Sequence, residues 1–372
     1  MPSRMACVRQ AMAERMGICD MRVLVTGGAG FIGSAVCRDF VLERNWSVLN
    51  VDSLTYAAAP GALDALEGRS GYRFARMDVC DRRRLGHLMA EWRPDAILHL
   101  AAESHVDRSI ADPEAFVRTN VLGTWSVLDA AREYWEAMPP SRRDAFRVLL
   151  VSTDEVFGSL GAEGRFTEET PYDPSSPYSA SKAGADHLGM AWHRTYGLPV
   201  IVSNCSNNYG PWQFPEKLIP LMSIRACQGR SMPVYGDGRN VRDWLHVEDH
   251  VRALRLILRG GRPGGRYLVG GYGERTNMQV VEAICEIADR LRPDGRPHRR
   301  LVEHVADRPG HDLRYAMDPA RLERELGWRP RIPFEKGLED TVRWYFAGED
   351  WWRPLLERAA VRRVKGAEAG AA

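Results

Sequence analysis

The hydroxyl of Thr153 and the carboxylates of Asp154 and Glu155 stand side by side where the apolar run of Val151-Ser-Thr-Asp-Glu-Val-Phe-Gly158 ends. Two neighbouring carboxylates repel, which raises one pKa and helps keep one group protonated, so the pair could serve as acid and base in one site. A helix cap is the plain alternative, because an Asp before a turn can accept hydrogen bonds from backbone amides. Further on, Ser176-Pro-Tyr-Ser-Ala-Ser-Lys-Ala183 reads as the start of a helix, with Tyr178 and Lys182 one turn apart on a shared face. An ammonium beside a phenol favours the phenolate, lowering the Tyr pKa and making it a base for a sugar or alcohol hydroxyl. A solvated helix face explains an isolated Tyr-x-x-x-Lys equally well.

Such groups need a rigid scaffold, and the chain offers one. Apolar runs at 22–26, 47–51, 72–77, 96–100, 146–152 and 199–203 alternate with helix-like stretches. This alternation predicts a parallel sheet, and runs that are apolar throughout predict helices on both faces. The fold class is therefore α/β, a doubly wound parallel sheet. Its first strand leads into Gly27-Gly-Ala-Gly-Phe-Ile-Gly33 and a helical run, so Gly27, Gly30 and Gly33 allow a tight turn and close backbone approach to a pyrophosphate at a helix N-terminus. Asp52 ends the second strand nineteen residues after Gly33, placed to accept from a ribose and to repel a 2'-phosphate, which favours NAD over NADP. Asp78 and Val79, and Leu100, Ala101, Ala102, Glu103 and Ser104, follow the third and fourth strands, at the sheet end where ligands bind.

The 372 residues exceed what one core of roughly 250–300 residues accommodates, so a second lobe is expected. After residue 204 the texture turns Gly-, Pro- and Trp-rich, with helices expected at 247–258, 277–290, 319–326 and 334–346. The expected organisation is an extension over 1–20, expected to be disordered; a cofactor domain over 21–204; a substrate lobe over 205–346 interleaved with it; and a tail over 347–372. Fifty-one Lys and Arg against 49 acids give no electrostatic case for nucleic acid or an anionic membrane. No apolar run is long enough to span a bilayer, and the first twenty residues lack a signal-peptide core. The seven cysteines show no metal-ligand spacing, which points to a cytoplasmic protein without a structural metal.

The glycine motif and the Tyr-Lys pair together resemble the short-chain dehydrogenase/reductase superfamily, in its extended, nucleotide-sugar-modifying branch. The stretches Ala101-Ala-Glu-Ser-His-Val-Asp-Arg-Ser109, Cys205-Ser-Asn-Asn-Tyr-Gly-Pro-Trp-Gln-Phe-Pro-Glu-Lys-Leu218, Val234-Tyr-Gly-Asp-Gly-Arg-Asn-Val-Arg-Asp-Trp-Leu245 and Asp307-Arg-Pro-Gly-His-Asp312 narrow it to a resemblance to the dTDP-glucose 4,6-dehydratases, from about residue 21 to 346. The resemblance implies a lyase with tightly held NAD+ that is regenerated at every turnover. Tyr178, with Lys182, would take the C4 hydroxyl proton as C4 is oxidised, while Thr153 orients that hydroxyl. Glu155 would then remove the C5 proton and Asp154 protonate the departing C6 hydroxyl. Hydride return to C6 would give dTDP-4-keto-6-deoxyglucose.

By the same resemblance Phe31, Ile32, Asp52, Ser53, Leu54, Thr55, Asp78, Val79, Leu100 to Ser104, Thr119, Tyr178, Lys182 and Asn208 would contact NAD. The nucleotide sugar would meet Ser104, Thr153, Asn207, Lys217, Leu218, Pro233, Val234, Tyr235, Arg242, Asn277, Asp307, Arg308, Pro309, Gly310 and His311. A sugar diphosphate needs cations, and Arg242, Arg308 and Lys217 could supply them locally. A homodimer pairing the helices after Asp112 and at Tyr178 is implied as well. Ala58-Ala59 departs from the family's usual Gly-Asn, and His246 stands where Tyr is frequent, with no role assigned. The competing readings are a dehydratase for another nucleotide-glucose, a nucleotide-sugar 4-epimerase, which has no use for two carboxylates, and a catalytically silent NAD-sensing scaffold.

Overall fold

A computed structural model describes residues 21–307 and 310–357. The expectations for residues 1–20 and for the end of the tail, 358–372, lie outside the described residues. The first half supplies strands β1 (Arg22–Thr26), β2 (Ser47–Asp52), β3 (Tyr72–Arg76), β4 (Ala96–His99), β5 (Arg147–Thr153) and β6 (Val200–Cys205). The second supplies β7 (Asn207–Tyr209), β8 (Met232–Tyr235), β9 (Val241–His246), β10 (Arg266–Val269), β11 (Glu274–Thr276) and β12 (Val302–Val305).

Seven strands form one parallel sheet in the order β10-β6-β5-β4-β1-β2-β3. Apart from the largely exposed edge strand β3, its strands are apolar on both faces because both are covered. Val23, Val25 and Ile201 pack on one side with residues of the helices Phe31–Arg38 and Val247–Gly260. Leu24, Leu150 and Val202 pack on the other side, with Leu85, Met89, Val127 and Leu128 from helices Arg82–Trp92 and Gly123–Glu136. The strand order reverses between β1 and β4, and an open α/β sheet binds ligands in the crevice beyond such a reversal. The expected doubly wound sheet is therefore present, one strand wider than the six runs foretold.

The seventh strand, β10, lies beyond residue 204, and helix Val247–Gly260 also packs on this sheet. The chain thus crosses the expected boundary in both directions, because the open edge of β6 needs a partner and the sheet face behind it needs a cover. What remains of the second half builds a three-stranded sheet, β11-β9-β7, a parallel pair, β12-β8, and a core that includes Tyr209, Met222, Ile284 and Leu338.

The expected tail over 347–372 is described as far as residue 357. Residues 349–357 are helical, and Trp352 is wholly buried with its indole N–H donating to the Tyr345 carbonyl at 2.8 Å. Trp351 donates to the Pro60 carbonyl at 2.7 Å and packs with Trp212 and Trp344. Large aromatic surface is removed from water there, which outweighs the entropy that would otherwise fray a terminus.

Candidate active site

The turn after β1 is shaped for a close neighbour. Gly27 has φ +74°, and a Cβ there would lie 2.6 Å from the Ala101 amide nitrogen; a Cβ on Gly33 would lie 2.1 Å from the Gly27 carbonyl oxygen. The backbone itself fills both positions, so only glycine lets the helix pack this closely on the turn, and the turn with its helix N-terminus lines a cleft suited to a pyrophosphate. The carboxylate of Asp52 ends β2, accepting from the amides of Ala29 at 2.9 Å and Leu54 at 2.7 Å. Burial raises its pKa and these two amides oppose the rise. Each carboxylate oxygen has a second lone pair for a ribose hydroxyl. The residues present therefore fit a dinucleotide.

The catalytic candidates meet at the C-terminal end of β5. Thr153 is its last residue, and the Thr153 hydroxyl, not Asp154, caps the short turn Asp154–Phe157 by accepting from the Glu155 amide at 3.3 Å. The capping alternative for Asp154 is thereby removed. Asp154 is only 1% exposed; its Oδ1 accepts from the Thr153 hydroxyl at 3.2 Å, and its Oδ2 has no hydrogen-bond partner among the described residues. Burial and then the Glu155 charge push the Asp154 carboxyl well above its ordinary range, with Arg242 opposing. A carboxyl shifted in this direction holds its proton more readily than an ordinary one, as suits a group that must donate a proton.

Tyr178 and Lys182 lie in helix Pro177–Tyr196, which begins at a Ser176–Ser179 capping box and stops at Gly197, where φ is +75°. One expectation fails here. Lys182 directs its ammonium to the Val151 carbonyl at 2.7 Å, and Tyr178 stands well above its ordinary pKa. Burial of the phenolate is the main cause, followed by the negative charges of Glu155 and Cys205, while the Thr153 hydroxyl opposes. Burial also lowers Lys182, with Asp186 opposing. The phenol of the protein alone is thus protonated, because removing a phenolate from water costs more than the Thr153 hydroxyl returns.

One cleft is lined by Gly27, Gly30, Phe31, Ile32, Gly33, Asp52, Ser53, Thr55, Asp78, Val79, Leu100 to Ser104 and Thr119, and also by Thr153, Asp154, Glu155, Tyr178, Lys182, Asn207, Asn208 and Lys217. Cofactor candidates and acid–base candidates therefore share a single space. Asn208 gives its side chain to protein partners, His250 Nδ1 at 2.9 Å and the Ser206 carbonyl at 2.9 Å. Leu54 turns its side chain toward a neighbouring apolar cavity that Tyr72 and Phe74 also line.

Several sugar-nucleotide candidates lie outside that lining. Val234 is 2% exposed and packs with Met232 and Ile284 in the lobe core, so only its backbone can meet a ligand; strand β8 alternates its side chains, and this one points inward. Its neighbour Tyr235 is 41% exposed, with its ring 6.3 Å from that of His311, and His311 pairs with Asp307 at 2.6 Å. Pro233 is the other neighbour on β8, Leu218 and Asn277 open the helices Leu218–Cys227 and Asn277–Leu291, and Gly310 precedes His311. Arg242 is 5% exposed, lies 4.3 Å over the Tyr315 ring and donates to the carbonyls of Val241 at 2.8 Å and Asp312 at 3.0 Å. Arg308 and Pro309 lie outside the described residues.

Sequence reasoning passed over Ser206, Gln213, Phe214 and Glu216, which also line the cleft. Ser206 Oγ and Gln213 Oε1 are buried without hydrogen-bond partners among the described residues. Their place between Asn207 and Lys217, in the most family-like stretch of the second half, was the available signal. His246, given no role, accepts from the Glu248 amide at 3.3 Å and caps helix Val247–Gly260.

Comparison with known proteins agrees with this geometry. A family model described as GDP-mannose 4,6 dehydratase matches residues 24–341. A probable dTDP-glucose 4,6-dehydratase of Sinorhizobium fredii is 55% identical over 338 residues, 91% of this chain and 96% of that protein. The dTDP-glucose 4,6-dehydratase of Xanthomonas campestris is 55% identical over 90% of this chain and 95% of its own length. Among solved structures, the dTDP-glucose 4,6-dehydratase of Streptomyces venezuelae, with NAD and dTDP bound, superposes with a TM-score of 0.83 at 45% identity, covering 90% of this chain and 100% of that one. A cleft in which a buried acid adjoins the Tyr-Lys pair of a dinucleotide fold, together with likeness along nearly the whole chain, means that this chain belongs to the dTDP-glucose 4,6-dehydratase family of extended short-chain dehydrogenase/reductases.

Proposed function

We propose that this protein is a hydro-lyase that converts dTDP-glucose into dTDP-4-keto-6-deoxyglucose and water, with NAD+ as a retained cofactor. The observation that carries the reading is the buried Asp154 beside Glu155, its carboxyl pushed above the ordinary range by burial and by that neighbour, in the same cleft as Tyr178 and the glycine turn. A 4-epimerase on the same fold, such as the Thermus thermophilus UDP-glucose 4-epimerase, which superposes with a TM-score of 0.77 at 31% identity over 87% of this chain and 99% of that one, catalyses inversion at C4, for which an acid for a leaving hydroxyl is superfluous.

NAD+ supplies a hydride acceptor for C4, a hydride donor for C6 and a positive charge. The residues of this chain move protons and hold groups in place. Gly27 and Gly33 admit the pyrophosphate, and Asp52 takes the ribose. Thr153 orients the C4 hydroxyl, and Tyr178 would accept its proton once the positive charge of the bound cofactor favours the phenolate. The C4 ketone makes the C5 hydrogen acidic, so Glu155 can remove it. Asp154 protonates the C6 hydroxyl, which leaves as water. Lys217, Arg242 and Arg308 are assigned to the nucleotide diphosphate side, with Asn207, Leu218, Pro233 to Tyr235, Asn277, Asp307 and Pro309 to His311 around it.

Incubation with dTDP-, UDP- and CDP-glucose tests the assignment. The dTDP sugar is expected to turn over fastest to a 4-keto-6-deoxy product; a product with C4 merely inverted, or no preference for dTDP, would refute it. We assign the working form as a homodimer. Val117 is 56% exposed, and Leu122 and Trp125 are exposed beside it on the helical segment opposite Pro177–Tyr196. Light scattering should give twice the 41.9 kDa chain mass, and a monomer would remove this assignment. The five described cysteines are all unpaired, which supports a cytoplasmic setting. No helix among the described residues is long and apolar enough to cross a membrane.

A further inference from the structure

Three separate stretches converge beside the cleft without belonging to the acid–base set. Tyr56 follows β2 in the loop that starts at Asp52, Arg108 follows β4, and Glu216 comes from the second half of the chain. The Arg108 guanidinium carbon sits 3.6 Å from the centre of the Tyr56 ring, and Phe214 meets the same ring edge-on at 5.6 Å. Arg108 Nε pairs with Glu216 Oε2 at 3.4 Å, and the Glu216 side chain is only 17% exposed. The Tyr56 hydroxyl lies against the carboxylates of Glu103 and Glu216. Beside them Lys217 Nζ donates to the Ser104 carbonyl at 2.8 Å, a second tie between the same two loops. Glu216 lines the cleft together with Thr55, Ala57 and Phe214, while Tyr56 and Arg108 line the adjoining cavity, so the cluster stands between the two.

The proposed reaction has a particular need for such a tie. It is redox-neutral: the hydride taken from C4 must return to C6 of the same sugar, so a cofactor lost in mid-cycle strands an unfinished product. We propose that Tyr56, Arg108 and Glu216 form a clasp that retains NAD+ by locking the Asp52 loop and the β4 loop to the second lobe, an inference that rests on the dehydratase reading above. The planar guanidinium serves both partners at once, with its face on the ring and its edge on the carboxylate. Releasing it frees the loop that carries the ribose carboxylate. These are positioning residues, acting on the cofactor through the loops that they join.

The test compares wild type with Arg108→Lys, which keeps the charge and loses the planar face, and with Glu216→Gln, which keeps the shape and loses the ion pair. Each protein is passed through gel filtration and its bound nicotinamide cofactor is then measured per chain, together with the rate at which cofactor leaves. The variants are expected to lose NAD+ at least about tenfold faster, and added NAD+ is expected to restore 4-keto product formation. Retention equal to wild type overturns the clasp. So does a loss of activity that added NAD+ does not relieve, or failure of both variants to fold, since either marks the cluster as purely structural. A wild type that turns over only with added NAD+ and retains no more of it than the variants sinks the clasp alone. A wild type that makes no 4-keto sugar even with added NAD+ sinks the dehydratase reading.

Discussion

Tyr178→Phe is expected to slow the first oxidation by about 10²–10⁴-fold, the usual contribution of a positioned general base. The variant removes one oxygen and leaves the ring, which Phe116 meets edge-on at 6.2 Å, so packing survives the change. What disappears is the group proposed to take the C4 hydroxyl proton. Tyr178 is 8% exposed and protonated in the protein alone, so water cannot readily substitute for it as base. Rapid mixing of cofactor-loaded enzyme with dTDP-glucose, followed by the absorbance of the reduced cofactor, reads this step directly. Reduction at the wild-type rate would strip Tyr178 of its role.

Asp154→Asn and Glu155→Gln should block the same overall reaction at different bonds. Water loss is expected to fall by about 10²–10⁴-fold in both, while cofactor reduction persists. In deuterated water the two diverge. With Glu155 intact, Asp154→Asn should still exchange the C5 hydrogen for deuterium, because the ketone keeps that position acidic and the base remains. Glu155→Gln should exchange it hardly at all. Asn nearly preserves the shape of Asp154, and burial already disfavours the charge that the replacement removes, so the fold should tolerate it. Wild-type exchange by Glu155→Gln would remove Glu155 as the C5 base.

The sequence made the sheet legible where burial on both faces left unbroken apolar runs, as in the fully buried β4 and β6. It hid β10, whose four residues, Arg-Tyr-Leu-Val, are too few to stand out among glycines and whose pairing with β6 spans some sixty residues. Chemistry that is local in sequence could be read: Thr153 to Glu155, Tyr178 with Lys182, and the glycine turn. Electrostatics could not, because the pKa values of Asp154 and Tyr178 depend on how deeply each is buried and on charges brought in by other elements. Residue type also says nothing about direction within a strand: that Val234 turns its side chain into the core, leaving only its backbone for a ligand, is visible only in the fold. Arg108 and Glu216 are 108 positions apart, and nothing short of the folded chain announces that pair.

The late arrival of β10 bears on how the protein can be dissected. A chain cut after residue 204 would leave the last strand of the nucleotide-binding layer with bare amides and carbonyls along one side, and its apolar underside open to water. Such a fragment invites edge-to-edge aggregation and would not yield a free cofactor domain. The rest of the second half is in effect an excursion of the chain that leaves the layer after β6, returns to finish it at β10 and leaves again, so the two parts share one sheet and cannot be separated by a single cut.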